Sequence, residues 1–464
     1  MKITCLGGVR TVTGSSYLIS AGENNVLVDC GMFQGRSETE VLNEEPFQFD
    51  PRKLDAVLIT HSHIDHIGLL PKLVKEGFRG TIFATEAAAE LTGIMLLDSA
   101  HIQERDAELE TRKKLRKGKK AVSPLYTTED ALKSLGFVRG IPYRQQHNIG
   151  KNFSFLFKDA GHILGSAFIE IEVREKGEIK RITFSGDVGR RNTPIIKDPE
   201  QGDSSDVLFI ESTYGNRLHK NLNETIAEFE DILLRCNQEC GNIIIPSFAV
   251  GRTQEIIYIL SSMWSNDHPL KNMRTFIDSP MAVKATDVFK KHSECFDKEA
   301  MDILRNGNSF LNFQGLTLVE TPEESMEINK IKSGAIIISA SGMCNAGRIR
   351  HHLKHNLWNK KCHIIFVGFQ AAGTLGRAIV DGAKKVKIMG EDIVVKAKVH
   401  TLGGFSAHAD RDELYSWLKG FSRLPGKIFI VHGEESLSLE FAAFLKEKSI
   451  TEVYVPRRLE SFEI

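Results

Sequence analysis

The chain has 464 residues, and at about 150 residues per domain this length predicts two to four domains, each large enough to bury a core. A hydrophobic content of 41% and a charged content of 26% are typical of a folded globular protein and exclude the disordered and low-complexity classes. The 60 Lys and Arg residues balance the 60 Asp and Glu residues. This balance excludes a protein that coats nucleic acid through an overall basic surface, so any nucleic-acid partner must be held by a local patch.

Histidine and cysteine usage narrows the class further. The chain has 16 His, and histidine is the commonest metal ligand. The seven Cys form no repeated CxxC pair, which argues against a disulfide framework and against a thiolate zinc site. The sequence shows neither a long apolar run nor an apolar signal region, so we expect a cytoplasmic protein.

Short β-rich runs separated by glycine-marked turns form the first part of the chain. A nearly continuous apolar run over 54–60 ends at a histidine cluster, and Leu69, Leu70, Leu73 and Val74 then recur at helical spacing. The predicted strands of this part cover residues 2–6, 16–20, 25–29, 54–60, 81–84, 153–157, 168–173, 181–184 and 207–210.

The pattern changes from about residue 223. Buried strands are predicted at 242–246, 274–277, 335–339 and 363–368, each followed by a turn and a helix, and the helix after the first of these strands is predicted to cover 254–263. Regular alternation of this kind is typical of a parallel α/β sheet. Strands predicted at 393–399 and 427–431 return to the β-rich pattern of the first part, so the sequence predicts a middle α/β domain inserted into a β-rich domain.

The strongest chemical signal is the run His61-Ser-His63-Ile-Asp65-His66, directly after a buried strand. In the turn between this strand and the next helix, His61 and His63 can converge on one cation while Asp65 and His66 point to a second centre. Imidazole and carboxylate ligands without thiolate suit zinc better than manganese or iron.

Two further polar residues lie beside glycines at the ends of β-runs, His162 after Gly161 and Asp187 after Gly186. Glycine lets the backbone approach closely and a side chain be aimed at a site. Taken singly, each is an ordinary turn residue; together with the histidine cluster they predict a second set of ligands.

These motifs resemble those of the metallo-β-lactamase superfamily: an Asp after an early strand, an HxHxDH cluster, a single His and a later bridging Asp. The resemblance implies a four-layer αββα sandwich with the metals at the strand ends. It also implies that one zinc is held by three histidines, that the second is held by the end of the cluster, and that Asp187 bridges them. Asp29 is expected to orient a ligand histidine. The residues that match are Asp29, His61, His63, Asp65, His66, His162 and Asp187.

The middle of the chain resembles the β-CASP nucleases, a group that includes RNase J and the nuclease of eukaryotic mRNA 3′-end processing. The resemblance implies a metallo-β-lactamase domain over 1–212 and 386–464, interrupted by a β-CASP domain over 213–385. The segments that match lie at 207–215, 246–255, 277–282, 339–343 and 373–377.

Three β-CASP motifs, A, B and C, match Glu211, His408 and His432. The resemblance implies that His432 completes the second metal site and, because RNA-processing members carry His at motif C, that the substrate is RNA rather than DNA. Two metal ions can activate water and stabilise a phosphate. We expect His408 to donate a proton to the leaving oxygen while Glu211 orients it and Asp187 takes part through the metals.

Phosphate contacts are predicted outside the metal site. The backbone amides of Ser341, Gly342 and Met343 lie before a helix predicted to begin near Ala346, and a helix N-terminus binds anions. Arg252 and Arg377 are predicted as charged partners of this loop. A basic run at 112–120 either steers RNA or is a solvated helix end; the sequence leaves both interpretations open.

We therefore predict a zinc-dependent ribonuclease with two zinc ions per chain, acting as an endonuclease, with a 5′–3′ exonuclease mode left open. The predicted partner is single-stranded RNA. We expect no association with a membrane, and the sequence leaves open whether the protein forms a homodimer. The alternatives are a β-CASP DNA nuclease, a small-molecule hydrolase and a catalytically inactive scaffold subunit. The β-CASP motifs disfavour the small-molecule hydrolase, and the full ligand set disfavours the scaffold.

Overall fold

The computed structural model describes residues 1–35, 37–175, 177–264, 268–368, 370–371 and 373–464. The chain divides into two compact units. The first unit contains Met1–Arg191, Asp198–Leu218 and His408–Ile464; the second contains Asn192–Lys197 and His219–Ala407. The domain limits predicted after residues 212 and 385 stay predictions.

Strands and helices follow one another along both units. The strands are β1 (Lys2–Gly7), β2 (Ser16–Ala21), β3 (Asn24–Val28), β4 (Ala56–Leu58), β5 (Thr81–Thr85), β6 (Val138–Ile141), β7 (His147–Ile149), β8 (Phe153–Asp159), β9 (Ala167–Glu175), β10 (Glu178–Phe184), β11 (Val207–Glu211), β12 (Ile243–Pro246), β13 (Arg274–Asp278), β14 (Leu316–Val319), β15 (Ala335–Ser339), β16 (His363–Phe366), β17 (Lys385–Ile388), β18 (Glu391–Val394), β19 (Lys398–Thr401), β20 (Lys427–Val431), β21 (Val453–Tyr454) and β22 (Ser461–Glu463). The helices are α1 (Ser37–Glu40), α2 (Ile64–Ile67), α3 (Leu70–Lys75), α4 (Glu86–Leu115), α5 (Thr128–Leu135), α6 (Leu222–Gln238), α7 (Arg252–Met263), α8 (Pro280–Lys291), α9 (Lys298–Arg305), α10 (Pro322–Ile328), α11 (Ile349–Asn356), α12 (Leu375–Val380), α13 (Arg411–Lys419) and α14 (Glu435–Glu447).

The first unit is built on two seven-stranded sheets, in the orders β22-β1-β2-β3-β4-β5-β6 and β21-β20-β11-β10-β9-β8-β7. Their inner faces share one hydrophobic core, to which Val28 and Leu58 belong on one side and Phe184 and Phe209 on the other. Strand β2 alternates buried and half-buried residues, as a strand with one face on the core must. This core holds the two sheets face to face.

Helices cover the outer faces of both sheets. Leu70 of α3 and Leu96 of α4 are buried in one cluster with Val57 of the first sheet. Leu414 of α13 and Phe441 of α14 are buried in another cluster with residues of the second sheet. The unit is thus a four-layer αββα sandwich, which confirms the predicted fold. Among the described residues, no helix combines the length and the apolar character that a membrane span requires.

Parallel strand pairs place several loops at the same sheet edges. Strands β3, β4 and β5 are parallel neighbours in the first sheet, and β10, β11 and β20 are parallel neighbours in the second. Strand β4 is shorter than the predicted run 54–60, because the Thr60 amide leaves the ladder and donates to the Asp29 carboxylate at 2.8 Å. The shortened strand turns the following histidine cluster toward that edge.

The second unit contains a six-stranded sheet in the order β14-β13-β15-β12-β16-β19, with every neighbouring pair parallel. Phe229 of α6 and Ile256 of α7 are buried in one cluster with strand residues. Leu353 of α11 and Ile379 of α12 are buried in a second cluster with strand residues. The predicted parallel α/β sheet is confirmed.

The single strand predicted at 393–399 is wrong. Strand β18 pairs antiparallel with β17 in a separate ribbon, whereas β19 pairs with β16 in the six-stranded sheet. Between the two strands, the amides of Lys396 and Ala397 both donate to the Leu357 carbonyl. The apolar pattern is continuous there, but hydrogen bonding to a distant residue interrupts the strand.

Candidate metal centre

A hydrogen-bonded group at the ends of β3 and β4 fixes the first part of the site. Asp29 follows β3 with a φ of 57° and is buried. One of its carboxylate oxygens accepts the Thr60 amide at 2.8 Å, and the other accepts the Thr60 hydroxyl at 2.8 Å. The second oxygen also lies 2.7 Å from Nδ1 of His66. Asp29 therefore holds the ring of His66 by Nδ1 and leaves Nε2 to face the centre, the arrangement expected of a residue that orients a ligand.

One group of possible ligands combines three histidines and a carboxylate. His61 Nε2 lies 3.0 Å from His63 Nδ1, and His162 Nε2 lies 3.4 Å from the same nitrogen. Asp187 Oδ2 lies 3.3 Å from His61 Nε2 and 3.5 Å from His162 Nε2. One ligand atom of each residue lies within 4.8 Å of the others. The structure thus brings together the residues predicted for the first metal.

A second group lies beside the first. His66 Nε2 lies 3.3 Å from His432 Nε2, and Asp65 Oδ2 lies 3.3 Å from the same His432 nitrogen. His432 follows β20 with a φ of 45°, and its amide donates to the Gly8 carbonyl at 2.7 Å. These three side chains also offer ligand atoms within 4.8 Å of one another.

Asp187 contacts both groups. Its Oδ2 faces His61, whereas its Oδ1 lies 3.1 Å from His432 Nδ1 and 3.5 Å from His66 Nε2. The carboxylate is buried, and its Oδ1 accepts no hydrogen bond from the described residues. This is the position that the bridging role predicted for Asp187 requires.

Two close backbone approaches bring the ligand loops together. A Cβ on Gly189 would lie 1.7 Å from the Gly161 carbonyl oxygen, so only glycine allows the loops of Asp187 and His162 to touch. A Cβ on Gly31 would lie 1.6 Å from the Asp65 carbonyl oxygen. Gly31 and Gly189 are therefore required by the geometry of the site.

Burial and carboxylates set opposite charge states within the imidazole cluster. Burial lowers the pKa of His63 to about 4 and the pKa of His61 well below its usual range, so both rings are neutral and ready to bind a metal. Burial also acts to lower the pKa of His66, but the carboxylates of Asp187 and Asp29 outweigh it and raise that pKa to about 10. The carboxylates of the site thus draw positive charge to the second group.

Glu211 and His408 form a pair at the edge of the two groups. Glu211 is the last residue of β11 and is buried; its carboxylate accepts the Val188 amide at 2.6 Å and the Thr213 amide at 3.3 Å. His408 Nδ1 lies 3.1 Å and 3.2 Å from the two Glu211 oxygens and 3.9 Å from Asp187 Oδ2. Burial acts to lower the pKa of His408, but Glu211 and Asp187 outweigh it and raise that pKa to about 9. His408 therefore carries a proton at neutral pH.

The residues present fit a metal cofactor. The carboxylates of Asp29, Asp65, Asp187 and Glu211 are at least partly buried, and each ion-pair partner that the described residues provide for them is a histidine. Buried negative charge is costly unless it is compensated, and a divalent cation supplies that compensation. Imidazole and carboxylate donors without thiolate are the set that zinc accepts.

The predicted phosphate contacts lie in the second unit. Helix α11 begins at Ile349 rather than near Ala346, so the amides of Ser341, Gly342 and Met343 precede its first turn by several residues. Arg252 is buried and ion-paired with Glu255. Arg377 is exposed, and its Nε lies 2.8 Å from Asp381. Phosphate binding by these residues stays a prediction.

The basic run 112–120 covers the end of α4 and the turn after it, and most of its side chains are exposed. Arg112 pairs with Glu108 at 2.6 Å, and Lys113 lies 3.8 Å from Glu110. These pairs are of the helix-surface kind, which fits the interpretation as a solvated helix end.

Two residues of the site, Thr60 and Thr213, were missed in the sequence. The Thr60 hydroxyl lies 3.1 Å from His61 Nδ1 and 3.3 Å from His66 Nδ1, in addition to its bond with Asp29. The Thr213 hydroxyl lies 3.2 Å from His432 Nδ1. Thr60 directly precedes His61, and Thr213 follows Glu211 by two residues, so both lie beside predicted site residues just after buried strands. This position was the available signal.

Three family descriptions match successive parts of the chain. Residues 9–219 match the metallo-beta-lactamase superfamily, and residues 253–379 match the Beta-Casp domain. Residues 392–456, which include His408 and His432, match the Zn-dependent metallo-hydrolase RNA specificity domain.

Several proteins resemble the chain over nearly its whole length. It is 38% identical over 445 residues to Ribonuclease TTHA0252 of Thermus thermophilus, covering 96% of each chain. It is 29% identical to an RNase J-like protein of Methanocaldococcus jannaschii, covering 97% of each. Transcription termination factor FttA of the same organism is 28% identical and matches 100% of this chain with 72% of its own length.

A solved structure shows the same fold. The crystal structure of a protein of unknown function from Enterococcus faecalis V583 aligns with a TM-score of 0.55 and 13% identity, covering 99% of both chains. The match in sequence to a ribonuclease over 96% of both chains carries the family assignment. The chain belongs to the β-CASP family of the metallo-β-lactamase superfamily.

Proposed function

We propose that this protein is a metal-dependent ribonuclease that uses two zinc ions to hydrolyse phosphodiester bonds of single-stranded RNA. The observation that carries the proposal is the position of Asp187, which contacts both ligand groups from one buried carboxylate. The names of the relatives and the match to an RNA specificity domain support RNA as the substrate.

The two groups of neighbouring side chains correspond to the two proposed metal sites. His61, His63 and His162 would hold one zinc, and Asp65, His66 and His432 would hold the other, with Asp187 shared. When bound, such a pair of metals lowers the pKa of water and stabilises negative charge on a phosphate.

The chain itself provides the proton for the leaving oxygen. The Glu211 carboxylate accepts a hydrogen bond from Nδ1–H of His408. This contact fixes the orientation of the ring and directs Nε2 away from the carboxylate. The pKa of about 9 keeps His408 protonated at neutral pH, so it can act as a general acid. Glu211 is a positioning residue, because it acts through His408.

The proposal includes an endonucleolytic mode with an additional 5′–3′ exonuclease mode. Purified protein is incubated with 5′-labelled and internally labelled single-stranded RNA, with and without a chelator. We expect discrete fragments from internal cleavage, mononucleotides from the 5′ mode, and loss of both products with the chelator. Products that persist after chelation would contradict the metal dependence.

A matched variant separates proton transfer from metal binding. His408→Ala is expected to slow cleavage by about a hundredfold or more, the usual contribution of a general acid, while the metal content stays the same. Near-normal cleavage by this variant with both metals present would show that another group donates the proton.

A further inference from the structure

One phenylalanine of the second unit is exposed in a stretch that is otherwise buried. The Phe248 side chain is 40% exposed, whereas its neighbours Ser247, Ala249 and Val250 are buried. Among the phenylalanines that the structure describes, Phe248 is the most exposed. An aromatic ring normally contributes to a core by burying its large apolar surface. The Phe248 ring instead leaves part of that surface open to a ligand.

The backbone of Phe248 is firmly anchored. Its carbonyl accepts the Thr253 hydroxyl at 2.7 Å and the Thr253 amide at 3.2 Å. The amide of the preceding residue, Ser247, donates to the Ser339 carbonyl of β15 at 3.1 Å. The ring thus projects from a hydrogen-bonded turn between β12 and α7.

One glycine makes room for the ring. A Cβ on Gly342 would lie 3.0 Å from two ring carbons of Phe248, closer than nine in ten real contacts of this kind. A Cβ on Gly368 would lie at an ordinary contact distance of 3.6 Å from the ring. The aromatic ring therefore packs closely on the backbone at Gly342 and lies beside Gly368.

The seat of the ring, which is formed by Gly342 and Gly368, lies at the carboxyl edge of the parallel sheet. Phe248 follows β12, while Gly342 follows β15 and Gly368 follows β16, and these two strands flank β12. In open parallel sheets ligands bind outside the carboxyl ends of the strands. The loop 341–343, where phosphate binding is predicted, forms one side of the seat.

We infer that the ring of Phe248 is a stacking platform for a base of single-stranded RNA. Proteins that bind single strands stack bases on aromatic rings that are held in place and partly exposed, and such a stack is tolerant of sequence because every base has a π-face. The inference rests on the proposed function, and it adds a base contact in the second unit to the phosphate chemistry of the metal centre.

The test measures binding without cleavage. All variants carry His408→Ala, which leaves the metal ligands in place, and the probe is a fluorescein-labelled oligouridylate of about 20 nucleotides, a length that exceeds common single-strand binding sites. Phe248→Ala is expected to weaken binding about tenfold, the effect of losing one base stack. Phe248→Tyr keeps a ring and is expected to bind within about twofold of the parent, and Trp358→Ala, which removes another exposed aromatic of the same unit, is expected to bind as the parent does.

A fluorescent variant separates stacking from general packing. In Phe248→Trp the indole emission is expected to be quenched by single-stranded oligouridylate and unchanged by inorganic polyphosphate, which carries phosphates without bases. Unchanged binding in Phe248→Ala, equal losses in Phe248→Ala and Trp358→Ala, or equal quenching by polyphosphate would each overturn the inference. If the protein with His408 intact neither bound nor cleaved RNA, the proposed function would fail, and the stacking role would fail with it. If that protein cleaved RNA normally but the Phe248 variants gave any of the three contrary results above, the stacking role alone would be overturned.

Discussion

At the scale of single residues, the metal centre depends on side chains that bind no metal themselves. Asp29 accepts from the amide and the hydroxyl of Thr60 and lies 2.7 Å from His66 Nδ1. Contacts of this kind set the tautomer and the orientation of a ligand ring. The orientation of the His66 ring is thus set by Asp29, a residue outside the two groups of possible metal ligands.

Replacing Asp29 tests this contact. Asp29→Ala is expected to weaken metal binding at the second group by about 10- to 100-fold, because His66 loses the partner that orients its ring. Competitive titration with a chelator and elemental analysis measure the loss as one retained metal per chain instead of two. Asp29→Asn keeps the shape but only one of the two acceptor oxygens, so we expect it to lose part of the metal affinity and to lie between the parent and Asp29→Ala. Two tightly held metals in Asp29→Ala would show that Asp29 is dispensable for the site.

Asp278 is a buried carboxylate of the second unit, and its contacts bear on the stability of that unit. Asp278 accepts from Ser325 Oγ at 2.6 Å, contacts His352 Nε2 at 2.6 Å and pairs with Arg348 at 2.7 Å. Burial acts to raise the pKa of Asp278, but these hydrogen bonds outweigh it and lower the pKa below its usual range.

A lowered folded-state pKa makes stability depend on pH. The contribution of Asp278 is present above the unfolded pKa of about 3.9 and is lost as pH falls through the lower folded-state value. Asp278→Asn is expected to lower the free energy of unfolding by about 3 kcal/mol at pH 7, because it removes the buried carboxylate that pairs with Arg348. Urea unfolding at pH 7 and at pH 3 measures both effects, and the difference between the two proteins should shrink at the lower pH. A constant difference would mean that the Asp278 charge is not what stabilises the cluster.

At the scale of elements, strand order determines which loops can meet. Strands β10, β11 and β20 are parallel neighbours, so Asp187, Glu211 and His432 emerge at one edge although the last lies more than 200 positions away in the sequence. The loop that carries His162 joins this edge because Gly189 allows its backbone to touch the Gly161 carbonyl.

Adding a methyl group at that contact tests the role of the loops. Gly189→Ala is expected to separate the His162 and Asp187 loops, because the new Cβ would lie 1.7 Å from a carbonyl oxygen. The measured result is loss of bound metal together with a lower melting temperature. The matched control is Gly93→Ala within α4, where the new Cβ would make only ordinary contacts at 3.6 Å and where alanine favours the helix. Retention of both metals in Gly189→Ala would show that the loops adapt.

At the scale of the whole molecule, all predicted metal ligands belong to the first unit. Each ligand residue lies within Met1–Arg191 or His408–Ile464, so the metal site is completed by two segments that are distant in the sequence. The second unit contains its own sheet and its own hydrophobic clusters. Metal binding should therefore stabilise the first unit directly.

Removing the metals tests this expectation. A ligand that binds only the folded state stabilises it by an amount that grows with its concentration over its Kd. Hydrogen exchange with and without a chelator should show faster exchange around the ends of β4, β10 and β20, and unchanged exchange in β12 and β15 of the second unit. Added zinc should restore the protection. Equal loss of protection in both units would contradict a site confined to the first.

The residues at the centre of the site were predictable because they are local in the sequence. His61 to His66 lie within one turn after a buried strand, and glycines mark the turns of His162 and Asp187. The parallel sheet followed from the regular alternation of strands and helices, and the sandwich followed from the family resemblance; both are confirmed. Binding roles of the individual residues stay predictions.

Other features depend on contacts between residues that are far apart along the chain. The Thr60 contacts with Asp29 and His66, the interruption between β18 and β19 at Leu357, and the seating of Phe248 on Gly342 each join separate segments. Which side chains are available and which short segments form strands and helices depend on neighbours along the chain, so both can be predicted from the amino-acid sequence. Which of those side chains meet depends on the order of the strands in the sheets and on close backbone approaches, and no local pattern records either of these.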